Sequence, residues 1–359
     1  MKKFLNVFKQ KNMMVGYLYA YIHFVTEIVC FYTLSRIISN SVVLFMSFFI
    51  YDMVAFVPQG IIGHISDKYP KINMGLIGTL LLTVGFMGMS FNMLIDTYLF
   101  LVILCLGNAC IHVEGAETTL RLSNGKLAHS AIFVSGGSFG VITGKLLAKY
   151  AVTPLVLTLL IATMIPCILV CKRYKLNGID NGNDCENFDY GNKKISPALV
   201  IIFAVLIVIV RGYMGYGIPT SWNKTVIQTI MLYSFMGVGK ALGGILTDAF
   251  GIRKTAILSV LGGLPFLIFG DNIMVVSLIG IMLFSMTMAI TLGVLVSVLK
   301  KAPGVAFGLT TIGLFLGTVP VFFVKFSNVI NAGVIVILSI ICLIILLKIL
   351  KKEGSNGRC

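Results

Sequence analysis

The stretch Gly63-His64-Ile65-Ser66-Asp67-Lys68-Tyr69-Pro70-Lys71 has a counterpart 181 residues later, Gly244-Ile245-Leu246-Thr247-Asp248-Ala249-Phe250-Gly251-Ile252-Arg253-Lys254. Both copies read Gly-x-x-x-Asp followed by a turn and basic residues, and each lies between two apolar runs. The offset is about half of the 359 residues, so the chain reads as two related halves. A second echo agrees: Gly136-x-x-x-Gly140 is answered by Gly313-x-x-x-Gly317. Small residues at that spacing let two helix backbones approach closely inside a bilayer.

Working outward, 58% of the residues are hydrophobic and 11% charged, with mean hydropathy +0.99. Ordinary soluble domains carry about 25% charged residues, so the solvent for this surface is lipid. A bilayer-crossing helix needs about 20 mostly apolar residues. Twelve runs qualify: 13–36, 41–64, 74–92, 97–118, 129–149, 152–171, 196–219, 225–247, 254–270, 273–298, 303–326 and 329–349. The expected fold is an all-α polytopic membrane protein. A bundle of six helices (1–171), a solvated linker loop (172–195) and a second bundle of six with a short tail (196–359) make up the chain.

A net charge of +15 would suggest nucleic acid in a soluble protein. Here 21 of the 28 basic residues, Lys172, Lys175 and Arg358 among them, fall in the segments on one side of the spans. That bias is the positive-inside rule, and it predicts a cytoplasmic membrane protein with both termini in the cytoplasm. Lys145 and Lys325, near the outer surface, are expected to snorkel. The eight cysteines, Cys359 the last, form no CxxC, and the four histidines are scattered. No metal site and no cofactor are therefore expected. No phosphate-binding loop points to ATP.

The paired loops resemble the signature loop of the major facilitator superfamily, over essentially the whole chain. The resemblance implies that Gly63 and Gly244 permit close packing of spans 2 and 11 and of spans 8 and 5. Asp67 with Lys68, and Asp248 with Arg253 and Lys254, would form charge clusters at the inner gate. Pro70 stands where the family has Gly, and the basic pair is reduced to Lys71. The N-terminal gate network is therefore expected to be the weaker. His23-Phe24-Val25-Thr26-Glu27, Tyr51 to Gln59, Gly107 to His112, Arg211 to Gly215 and Pro303 to Leu309 look like the fosmidomycin-resistance type of efflux pump. The fifth span lacks the Pro of the antiporter motif, and the fourth lacks the Arg common in proton-coupled drug antiporters.

Ionisable groups inside a span cost about 2.5–3.5 kcal/mol on insertion scales, so they face a bundle interior or a cavity. His23 and Glu27 share a face of span 1. Asp52 and Gln59 lie on span 2, Asn108 and His112 on span 4, Arg211 on span 7 and Lys240 on span 8. Spans 1, 4 and 7 line the central cavity of the resembled fold, which implies that His23, Glu27, Asn108, His112 and Arg211 converge. Glu27 or Asp52 could load protons, the histidines relay them and Arg211 hold an anion. The same residues could instead be static helix-packing pairs. Glu114 and Glu117 read as solvated.

The function these features imply is secondary transport of a small solute by a monomer in the lipid bilayer. It would proceed by alternating access driven by protons, with efflux favoured over uptake. A non-transporting sensor or scaffold on the same fold is the competing class. An enzyme is disfavoured, because His112 and Glu114 are two apart and diverge on a helix.

Overall fold

A computed structural model describes residues 2–37, 41–91, 97–180, 185–324 and 326–352. Lys325, Arg358 and Cys359 lie outside the described residues. A short helix α1 (Lys2–Val7) leads into the first half: α2 (Met13–Ile37), α3 (Ser41–Phe56) with α4 (Gln59–Lys68), α5 (Met74–Ser90), α6 (Thr97–Leu122), α7 (Ala128–Lys149) and α8 (Pro154–Asp180). The second half begins with α9 (Pro197–Gly217), α10 (Val226–Phe250) and α11 (Ile252–Ile257), which joins α12 (Leu264–Phe269) through a π-helical turn. It closes with α13 (Met274–Ser285) and α14 (Thr287–Val298), α15 (Pro303–Phe323) and α16 (Asn328–Ile349). Pairing α3 with α4, α11 with α12 and α13 with α14 gives twelve apolar crossings, six in each half. Eleven reach 18 residues or more, and α5, with 17, is the short one.

Local chemistry sets the boundaries. Thr225 and Gln228 form a reciprocal capping box at the start of α10, and Ser196 caps α9 ahead of Pro197. The second crossing breaks at Val57-Pro58, because proline has no N–H to donate and crowds the preceding turn. The carbonyls this frees are taken up by side chains: Gln59 Nε2 donates to Ala55 O (2.7 Å), and Thr311 Oγ1 of α15 to Phe56 O (3.1 Å).

Glycines set how closely the helices approach. A Cβ on Gly136 would lie 2.1 Å from Ala20 O, and one on Gly140 2.4 Å from Phe24 O, so α7 lies directly against α2. Gly317 repeats this in the second half, 2.0 Å from Ile209 O, where α15 meets α9; Gly313 abuts Val208. Around the periphery Ile61, Leu80, Leu159, Ile227 and Ile344 are exposed, which is the lipid-facing surface of a multi-pass membrane protein.

The linker differs from the solvated loop expected. α8 runs to Asp180, nine residues past the expected end at 171, and buries Lys172 and Lys175. Farther on, Cys185 and Phe188 are buried, and Tyr190 N donates to Ser297 Oγ (2.9 Å). Asn192 N donates to Ile349 O (2.7 Å), and Lys351 N to Tyr190 O (2.8 Å). Lys351 Nζ also bonds the Asp189 carboxylate, which holds that carboxyl below its ordinary range. The connection is thus strapped across the end of the second half.

Candidate functional site

The first turns of chemistry lie where α2 crosses α6. His23 and Glu27 project from one face of α2, and His112 comes from α6; all three are buried. His112 Nε2 stands 2.8 Å from His23 Nε2, and Glu27 Oε1 lies 3.7 Å from His23 Nε2 and 3.6 Å from His112 Nε2. Asn108 Nδ2 donates to Glu27 Oε1 (3.1 Å), and Tyr51 Oη donates to Oε2 (3.1 Å), so both carboxylate oxygens are held. His23 Nδ1 faces Phe133 O (3.1 Å) and His112 Nδ1 faces Asn108 O (3.0 Å). Phe133 contacts both imidazoles and also the ring of Phe307 on α15, so the cluster lies one aromatic ring behind the seam between halves. The scattered histidines had suggested no metal-ligand grouping; two of the four nonetheless meet a carboxylate here.

The other intramembrane groups take separate places. Asp52 is buried on α3 and makes no hydrogen bond or ion pair among the described residues. Gln59 serves the helix break. Lys240 on α10 has no hydrogen-bond partner among the described residues, although its charge reaches Glu27, His112 and Arg211. Arg211 does not join the cluster, contrary to the expected convergence. It turns into an apolar pocket lined by Met214, Ser259, Phe284, Ser339 and Cys342, all from the second half. Its Nη1 has no hydrogen-bond partner, and it forms no ion pair among the described residues. Which side of a span faces the seam depends on helix rotation, and apolar runs this uniform carry no rotational signal.

At the end of the molecule where α1 and the end of α16 lie, the two signature loops each reach into the opposite half. Asp67 accepts from Gly304 N (3.0 Å) and Val305 N (2.9 Å) at the start of α15. Asp248 accepts from Leu127 N (2.9 Å) and Ala128 N (3.0 Å) at the start of α7, and from Gln10 Nε2 (3.2 Å). Neither receiving helix has a side-chain cap of its own. Each carboxylate therefore caps the other half's helix and complements its dipole. The glycines make this approach possible: a Cβ on Gly63 would lie 2.4 Å from the Gly304 backbone, and one on Gly244 2.5 Å from Leu127 O. At the opposite end the halves meet again. Phe45 and Phe49 of α3 pack on Phe322 of α15, and Lys145 Nζ donates to Tyr233 Oη (3.1 Å). Lys145 crosses between halves and does not snorkel.

The N-terminal network is the richer one, the reverse of what the degenerate loop suggested. Asp67 also pairs with Arg121 (3.3 Å), whose Nε bonds Glu117 Oε1 (2.8 Å). Glu117 accepts from Ser66 Oγ and from Lys175 Nζ (2.8 Å), which also bonds Glu114 Oε1 (3.0 Å). Glu114, Glu117 and Lys175 are fully buried, so the solvated reading of the two glutamates does not hold. Lys172 Nζ donates to Pro70 O (2.7 Å) and Ile72 O (2.6 Å), fixing the turn where Pro70 replaces glycine. In the second copy Gly251 takes φ +96°, a conformation closed to proline. Lys68, Lys254 and Arg253 make no ion pair with either loop aspartate; Arg253 instead donates to Leu347 O (2.9 Å).

No protein-family model matches the sequence, and no curated protein matches it. Solved structures do. A variant of the Escherichia coli fucose:proton symporter FucP aligns at TM-score 0.58 and 11% identity, covering 93% of this chain and 97% of that one. The human organic anion transporter TETRAN aligns at 0.64 and 12%, covering 94% and 100%. A double-tryptophan variant of XylE aligns at 0.64 and 13%, covering 98% and 97%. At these identities the likeness establishes the fold: twelve helices in two pseudo-symmetric bundles, the major facilitator fold.

Proposed function

We propose that the protein is a secondary transporter that moves a small solute across the cytoplasmic membrane by alternating access. The observation that carries this reading is the pair of reciprocal caps, Asp67 on α15 and Asp248 on α7. Two related halves joined at one end by matching, breakable contacts, and at the other by an aromatic patch and Lys145–Tyr233, form two gates around a buried polar interior. Both termini and the signature loops lie in the cytoplasm in this reading, as the basic residues suggest. Similarity to a fucose:proton symporter and to an organic anion transporter supports transport as the class.

Protons supply the drive, and Asp52 carries them. A buried carboxylate with no bonded partner is free to exchange its proton as access alternates, whereas both oxygens of Glu27 are already held. The direction is efflux of a small amphipathic or anionic compound, on the resemblance to the fosmidomycin-resistance pumps. Proteoliposome flux under an imposed pH gradient, with a panel of amphipathic anions and sugars, tests it. Flux should follow the gradient. Asp52→Asn should abolish that dependence while leaving counterflow exchange intact. Undiminished pH-driven flux in that variant removes Asp52 from the mechanism, and no flux of any solute, with ligand binding retained, supports a sensor.

A further inference from the structure

From the geometry of α2 and α6 we infer that His23, Glu27 and His112 form a binding site for a divalent transition-metal ion of the zinc type. The case begins with hydrogen. A backbone carbonyl can only accept, so His23 Nδ1 facing Phe133 O and His112 Nδ1 facing Asn108 O must both carry their protons. In the neutral rings both Nε2 atoms are then bare. Two lone pairs thus confront each other at 2.8 Å, with a carboxylate oxygen 3.6 and 3.7 Å away. Three electron donors buried this close repel one another unless a cation lies between them.

The dimensions suit a metal. The centre of the triangle defined by those three distances is about 2.0 Å from each atom, and zinc bonds imidazole nitrogen and carboxylate oxygen at about 2.0–2.2 Å. Two imidazoles and one carboxylate select zinc, iron, cobalt or nickel over calcium and magnesium, which take oxygen ligands. Every donor also has an outer partner that aims it, as metal ligands characteristically do. The two Nδ1–H groups donate to carbonyls, and Asn108 and Tyr51 hold the two oxygens of Glu27. Gly137 completes the arrangement, since a Cβ there would stand 2.2 Å from His23 Nε2. The fifth crossing has to be bare at that position for the ring to reach its place.

Equilibrium binding tests this independently of transport. The full chain, purified in detergent and stripped with a chelator, is titrated with Zn²⁺ by calorimetry, with Mg²⁺ as the control. One saturable Zn²⁺ site is expected. His112→Gln and Glu27→Gln should each weaken it by more than tenfold, and His64→Gln, on an exposed histidine, should leave it unchanged. Zn²⁺ should raise the melting temperature of the unmodified protein and not that of His112→Gln, which separates loss of a ligand from loss of fold. Should the ligand variants not fold, Tyr51→Phe removes only an outer hydroxyl and should still cost about tenfold in affinity. Absence of saturable Zn²⁺ binding, binding that survives His112→Gln, or equal binding of Mg²⁺ overturns the metal site; the first outcome leaves a shared proton as the occupant. None of these results bears on flux under a pH gradient, so the transport reading stands or falls separately.

Discussion

Substituting Gly63 with alanine asks whether the end carrying the signature loops really opens and closes. A Cβ at position 63 would lie 2.4 Å from backbone atoms of Gly304, where ordinary contact begins at 3.4 Å, so α4 and α15 must separate by about 1 Å. The obstacle is backbone, which no rotamer change can relieve, and overpacking of this kind costs about 1–3 kcal/mol. If this end opens during alternating access, the contact joins the halves only in the closed state and the cost falls on that state alone. The equilibrium should then shift toward the open state by about 5- to 150-fold. Gly136→Ala is the matched comparison: its clash, 2.1 Å from Ala20 O, lies within one half and persists in both states. Spin labels on cysteines replacing Lys68 and Lys301, in a background without the native cysteines, report the separation. Gly63→Ala should move the distance distribution outward, whereas Gly136→Ala should lower thermal stability and leave the distribution alone. Identical distributions for Gly63→Ala and the unmodified protein would refute the gate.

Lys175→Met leaves Glu114 and Glu117 buried together without their shared cation and should cost about 3–5 kcal/mol, read by unfolding in detergent; a loss below about 1 kcal/mol would mean that the network is dispensable. Arg211→Met should raise stability, because it removes a buried guanidinium that has no ion-pair partner among the described residues and whose Nη1 has no hydrogen-bond partner. A drop in melting temperature would show that the charge is satisfied.

Much of this architecture can be read from one sequence because it is written in local signals. The paired Gly-x-x-x-Asp loops and the glycines at 136, 140 and 317 each impose backbone geometry whatever the surroundings, whereas the break at Pro58 falls inside a run, 41–64, that reads as one continuous span. Spacing put His23 and Glu27 on one face of span 1, and the resemblance to the major facilitator superfamily implied that His112 on span 4 meets them, as it does. Arg211 was not, for its direction depends on the rotation of a helix that is apolar all round. The buried network was overlooked for a different reason. Ending the sixth span at residue 171 assigned Lys172 and Lys175 to a loop. Their three-residue spacing matches that of Glu114 and Glu117, the one trace in the sequence of two helix faces meeting.

The reciprocal caps make each bundle chemically incomplete. α7 starts with its amides answered only by a carboxylate from the other half, and α15 likewise. Made as separate polypeptides, the two bundles would each expose two unanswered amides and one loop carboxylate released from the other's helix, complementary in position and sign, although Asp67 would keep Arg121 as a partner within its own half. Recognition of one bundle by the other is therefore written into the ends of two helices, in addition to the strapped connection that links them.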